Sequence, residues 1–246
     1  MRATPPPMTQ RAIEPSPQAW ARIGGVLYLV IIIIGIWAEV FVRDGLILSG
    51  DVTTTARNIA ASQGLWRAAI AANLVHLSSG VILAAIYYLL FAPVSKTFAR
   101  IAVLFNLTAI ALEAGGKVFL LLALAPLGSA EYLKAFEPQQ LHVLTWLSIR
   151  GHTLAFNVSL IFFGFQCVIL GYLIFKSTFL PRLLGVLMAL AGVSYLVNCF
   201  AVVVAPSFAD IRLLIPAFIG ETALCLWLIF KGIDAPRWRE WASTKA

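Results

Sequence analysis

Charge is scarce in this sequence. Asp, Glu, Lys and Arg make up 12% of its 246 residues and apolar residues 61%, whereas a soluble domain runs to about a quarter charged and about half apolar. Water is therefore not the main solvent of the folded chain. Cysteine is scarce too, and Cys167, Cys199 and Cys225 show no paired spacing, which argues against a disulfide framework or a cysteine zinc site. A phosphate-binding glycine loop, a serine-nucleophile turn, an HExxH helix and any cysteine–histidine metal pattern are all missing. The expectation is a protein that is not an enzyme, with no catalytic residues, no metal and no other cofactor.

Long apolar runs take the place of those motifs. A bilayer core about 30 Å thick needs about 20 residues per helical span, and runs of that kind lie near 22–42, 67–91, 99–125, 151–175, 183–205 and 211–231. Amides in hydrocarbon must be satisfied within their own helix or in a closed barrel, and these runs are too long and continuous for alternating barrel strands. The expected fold class is all-α: a polytopic membrane protein with a six-helix transmembrane bundle over 20–232 and short exoplasmic helices. Residues 1–19, with Pro5, Pro6, Pro7, Pro15 and Pro17, read as a disordered cytoplasmic tail. Residues 233–246 read as a cytoplasmic amphipathic tail carrying Trp238 and Trp241 among Arg237, Arg239 and Glu240. The first apolar run is too long for the core of a cleavable signal peptide and reads as an uncleaved span.

A net charge of +7 would point to nucleic acid in a soluble domain, but the placement of the cations removes that reading. Eleven of the eighteen Lys and Arg, among them Arg22, Lys96, Arg100, Lys176, Arg182 and Lys231, flank one side of the spans, against six on the other. By the positive-inside rule the first side is cytoplasmic, so both termini are expected there, in the cell membrane. Two loops on the opposite side are long. In the first, Asp51 is placed to cap a helix stopped by Gly64; in the second, Ser129 is placed to cap AEYLKAF, and Pro138 to open a helix running unbroken into the fourth span.

Ionisable groups near the bilayer centre cost about 2.5–3.5 kcal/mol on insertion scales, so functional reasoning starts with them. Glu113 and Lys117 stand four apart in the third span, either as a neutralising pair that sets packing or as part of a site. Glu221 lies near the middle of the sixth span with no cation close in sequence, after Pro216 and Gly220. Its partner must come from another helix, or it is protonated; the proline and glycine raise the possibility of a broken helix of the kind that builds transporter sites. His76, Asn157 and Asn198 lie slightly to the exoplasmic side of the midplane, Asn106 and Gln166 to the inner side, while His152 and Arg150 read as interface markers. The candidate site is a polar cavity of Glu113, Lys117, Glu221, His76, Asn157 and Asn198, open to the exoplasmic side and closed by apolar packing towards the cytoplasm. Small pairs, Gly80 with Ala84, Ala111 with Gly115 and Gly185 with Ala189, mark places where helices can approach closely.

These segments also carry a resemblance. ARIGGVLYLVIIIIGIWAEVFVR at 21–43, ARNIAAS at 56–62, EYLKAFEPQQL at 131–141, FFGFQCVILGYLIFKSTFLPRLLGVLMALAGVSYLV at 162–197 and PAFIGETALCLWLIFKG at 216–232 resemble the bacterial membrane-protein family of domain of unknown function 4386, over nearly all the chain after the Pro-rich tail. The resemblance implies a multispan membrane protein and assigns no activity and no catalytic residue. The first functional expectation is binding or transport of a small polar solute, ion or proton through the cavity. A structural or interaction subunit is the second and an intramembrane enzyme the least favoured. The partners expected are the lipid bilayer and a small solute or protein of unknown identity, with no nucleic acid.

Overall fold

The computed structural model describes residues 16–244, so the expectations for residues 1–15 and 245–246 lie outside the described residues. Ser16 accepts the Ala19 amide N–H at 3.2 Å and Pro17 takes the first helical position, where its missing N–H costs nothing. From this cap α1 (Pro17–Ile36) continues through a π-helical stretch, Trp37–Arg43, into the short α2 (Asp44–Leu46). There follow α3 (Val52–Ala61), α4 (Gln63–Phe91), α5 (Lys96–Leu122), α6 (Pro138–Lys176), α7 (Arg182–Val204), α8 (Ile215–Phe230) and α9 (Ala235–Thr244). Six stretches are long and apolar enough to cross a membrane: Pro17–Leu46, Gln63–Phe91, Lys96–Leu127, Pro138–Lys176, Arg182–Val204 and Ile211–Phe230. The chain is an all-α, multi-pass membrane protein.

The six spans form a ring in chain order. Each long helix packs on the next, α1 on α4, α4 on α5, α5 on α6, α6 on α7 and α7 on α8, and α8 returns to α1. At the end carrying the start of α1 and the end of α8, the ring is filled by an apolar cluster that includes Ala21, Leu90, Phe91, Ile174, Phe179, Leu184 and Leu228. A smaller cluster of Ile59, Trp66, Ile70, Leu120, Leu124 and Ile149 packs the other end. There the Trp66 indole N–H donates to Leu120 O at 2.9 Å.

Local chemistry sets the elements outside the spans. Asp51 caps α3 by accepting the Thr54 N–H at 2.8 Å. Gly64 does not stop that helix: the break falls at Ser62, which leaves helical geometry at φ −122° and ψ 33°, and Gly64 lies in the first turn of α4. Ser129 caps nothing, because Glu131–Ala135 winds as a 3-10 turn preceded by Ala130 with no side-chain cap. Pro138 opens α6 with a capping box of Glu137 and Gln140. At 39 residues α6 is roughly 58 Å long, well beyond a bilayer core of about 30 Å. Its projecting end carries α3 alongside, with Thr53 Oγ1 donating to Gln139 Oε1 at 3.1 Å.

The last span is not broken at its centre. Pro216 sits in the first turn of α8, entered from a 3-10 turn at Ile211–Leu214, so it removes no interior hydrogen bond. Among the small pairs, Gly115 faces no neighbour; Gly116, one position on, turns towards Ala155. Close approaches join α6 and α7, where a Cβ on Gly171 would stand 2.6 Å from Gly185 O and one on Gly192 2.5 Å from Gly164 O. Finally, α9 folds back on the bundle: Trp238 Nε1 donates to Leu90 O at 2.8 Å, Trp241 Nε1 to Thr178 Oγ1 at 2.9 Å and Arg237 Nη1 to Thr178 O at 3.1 Å.

Candidate functional site

A cavity of about 170 Å³ lies inside the ring, with walls drawn from all six spans: Tyr28 of α1, His76 of α4, Glu113 of α5, Phe163 of α6, Tyr195 of α7 and Glu221 of α8. Leu77, Leu83, Ile110 and Leu160 make much of the remaining surface apolar. Glu221 meets no cation among the described residues; two tyrosines from neighbouring helices hold it instead. Tyr28 OH donates to its Oε2 at 2.9 Å and Tyr195 OH to its Oε1 at 2.6 Å. Ring contacts fix the donors. Tyr28 meets Tyr87 edge-on at 6.4 Å between centroids, and Tyr195 meets Phe163 edge-on at 5.4 Å. Both geometries are of the kind aromatic quadrupoles favour.

Away from the chain termini lies a charged cluster. Lys117 is 2% exposed, and its Nζ stands 3.2 Å from Glu113 Oε1, 3.2 Å from Glu39 Oε1 and 3.3 Å from His152 Nε2. The contacts to Glu39 and His152 are hydrogen bonds, and the contact to Glu113 is an ion pair. Because lysine is the donor, His152 Nε2 is the acceptor and the imidazole proton sits on Nδ1. Arg43 Nη1 then approaches Glu39 Oε2 at 2.9 Å. Arg43 Nη2 also stands 3.4 Å from Asp44 Oδ1, so three carboxylates meet two cations, with the Phe156 ring 5.6 Å from the lysine nitrogen. Glu113 belongs both to this cluster and to the cavity wall. The cluster crosses from α1 to α5 and α6, and its α1 side chains leave from the π-helical stretch, a feature that recurs at functional sites.

Of the residues singled out from sequence, Glu113, Glu221 and His76 line the cavity, as do Asn106 and Gln166. Lys117 stands behind Glu113. Asn157 and Asn198 are placed elsewhere: Asn157 Nδ2 donates to Thr153 O one turn back at 2.8 Å, and Asn198 Oδ1 accepts the Asp210 N–H at 3.1 Å, holding the loop between α7 and α8. His152, read from sequence as an interface marker, is 1% exposed beside Lys117. Tyr28 and Tyr195 escaped the sequence reading altogether. The available signal was Glu221 itself, since a carboxylate in a span needs donors and a tyrosine in an apolar run needs a partner for its hydroxyl.

Among the described residues, His76 Nδ1, Tyr87 OH and Asn106 Oδ1 are buried without a hydrogen-bond partner, and the residues that carry them all line the cavity. No group of three His, Cys, Asp or Glu that could hold a metal ion occurs among the described residues. Cys167, Cys199 and Cys225 are free and buried.

An uncharacterized protein of Archaeoglobus fulgidus is similar to this chain, with 30% identity over 76 residues, 31% of this chain and 45% of the relative. This chain thus spans less than half the length of that relative. No solved structure matches it. The paired tyrosines on Glu221 and the cluster around Lys117 fall within residues 23–232, the stretch matched by the family model of Domain of unknown function (DUF4386), and the chain belongs to that family.

Proposed function

We propose that the protein binds a small polar solute, ion or proton in the central cavity and moves it across the membrane. One observation carries the reading: Glu221, a carboxylate without a cation among the described residues, faces a cavity whose wall includes Glu113 on another helix and three polar atoms that no described residue hydrogen-bonds. Buried polar groups normally find partners, so a wall left short of them is suited to a solute that supplies them. The charge asymmetry of the loops supports a cell-membrane orientation with both termini cytoplasmic. In that orientation the charged cluster lies on the exoplasmic side of the cavity and the apolar cluster closes the cytoplasmic side. The proposed activity is binding and transport, without a catalytic step.

A thermal-shift screen of detergent-purified protein against small solutes, metal ions and pH tests this reading. A ligand present at about 100 times its Kd stabilises the native state by about 2.7 kcal/mol. The expected result is a shift in the wild type that is lost in folded Glu221→Gln and reduced in Glu113→Gln. If no solute shifts the wild type and both variants merely melt earlier, the carboxylates are structural. A structural or interaction subunit is the second reading. It is favoured by the cluster around Lys117, in which both cations are paired with carboxylates without a ligand.

A further inference from the structure

We infer that the cavity takes an organic cation, a protonated amine or quaternary ammonium. This rests on the reading of the cavity as a solute site and names the class of solute. Charge is the first argument. The two cavity carboxylates differ, because Glu113 is matched by Lys117 at 3.2 Å whereas Glu221 forms no ion pair among the described residues. Tyr28 and Tyr195 each donate one hydrogen bond to a different oxygen of Glu221. An ionised carboxylate offers about four acceptor positions, so each oxygen keeps one for an incoming N–H or for a cation held by charge alone.

The surroundings of Glu221 make the second argument. Tyr28, Tyr87, Phe163 and Tyr195 all line the cavity, joined as two edge-on pairs, and aromatic faces attract ammonium groups, most strongly when water is excluded. Tyr87 adds an independent sign of a ligand: it is 9% exposed, it lines the cavity, and its hydroxyl is buried with no protein partner. Asn106 Oδ1, likewise unpaired, is a further acceptor in the wall.

Other solutes suit these walls less well. Calcium takes about six to eight oxygen ligands, while no cluster of three metal-binding side chains occurs among the described residues. An anion would find the lysine already neutralised by Glu39 and Glu113. A neutral apolar molecule would leave Glu221 unused. A cavity of about 150 Å³ holds benzene, so a volume of about 170 Å³ suits a solute of roughly five or six heavy atoms.

Titration calorimetry of the full chain in detergent, with four compact probes of five to seven heavy atoms, tests the assignment. The probes are tetramethylammonium, tert-butylammonium, tert-butanol and pivalate. Both ammonium ions are expected to bind at least about tenfold more tightly than tert-butanol, and pivalate not to bind. Glu221→Gln should weaken the ammonium ions about tenfold and leave tert-butanol unchanged. Phe163→Leu, which keeps the carboxylate, should weaken tetramethylammonium about threefold. Equal affinity for tert-butanol and tert-butylammonium would overturn cation selectivity while the cavity stood as a solute site. So would no binding of any probe when another solute from the stability screen shifts the wild type. Failure of both the probes and the screen would remove the solute site itself.

Discussion

Lys117 holds the charged cluster together. Its ammonium is shared by Glu39, Glu113 and His152, and removing it leaves two carboxylates, 18% and 15% exposed, without their common cation. Breaking a buried pair by deleting one partner costs about 3–5 kcal/mol, whereas replacing the whole pair is often close to neutral. Lys117→Met is therefore expected to lower stability by about 3 kcal/mol in denaturant unfolding. The double variant Glu113→Gln with Lys117→Met should recover part of that loss. An equal loss in single and double variants would show that Glu113 does not depend on Lys117. The i, i+4 spacing of Glu113 and Lys117 was legible in the sequence because both lie on one helix. The contribution of Glu39, 78 residues away, was not, because only the packing of α1 against its neighbours brings it near.

At the scale of elements, the contact between α6 and α7 is set by missing side chains. Alanine at position 171 would bring a Cβ to 2.6 Å from both Gly185 O and Ala189 N. Backbone atoms cannot yield as a flexible side chain does, so Gly171→Ala is expected to push the helices apart at a cost of about 1–3 kcal/mol, read as a lower midpoint of unfolding. Gly115→Ala, which meets nothing within 4 Å, is the control.

The cap of α3 gives an element-scale pH dependence. The Thr54 hydroxyl, donating at 2.6 Å, and then the Thr54 amide N–H hold the Asp51 carboxyl below the ordinary aspartate value. A depressed folded value means that the stabilisation is complete above the ordinary value of about 3.9 and is lost as the pH falls through the depressed one. Amide exchange at Thr54 should accordingly be slower in the wild type than in Asp51→Asn near neutrality. The difference should vanish on acidification, and a difference independent of pH would contradict the cap.

For the whole molecule, the question is what holds the ring shut at the end that carries the termini. Trp238 reaches from α9 to the last turns of α4, while Trp241 and Arg237 hold Thr178 between α6 and α7. The helix thereby ties two loops distant in sequence. Trp238→Phe removes the donor to Leu90 O and should cost about 1 kcal/mol. Limited proteolysis should then be faster around 92–95 and 177–181 than in the wild type. Unchanged cleavage would mean that α9 lies on the bundle without securing it.

The sequence by itself determined the number of spans and the helical class, since hydrocarbon leaves a long apolar segment no other way to satisfy its amides. It also determined which side chains were costly enough to need partners, Glu113, Lys117 and Glu221 above all. Tertiary structure alone decided who those partners are. Closure of α8 against α1 and α7 brings Tyr28 and Tyr195 onto Glu221, the packing of α5 on α6 brings His152 to Lys117, and the π-helical end of the first span brings Glu39 to it. Hydropathy records how deeply a residue can sit in the membrane; the rotation of each helix about its own axis, which sets what a side chain faces, comes from the packing of small and large residues around the whole ring.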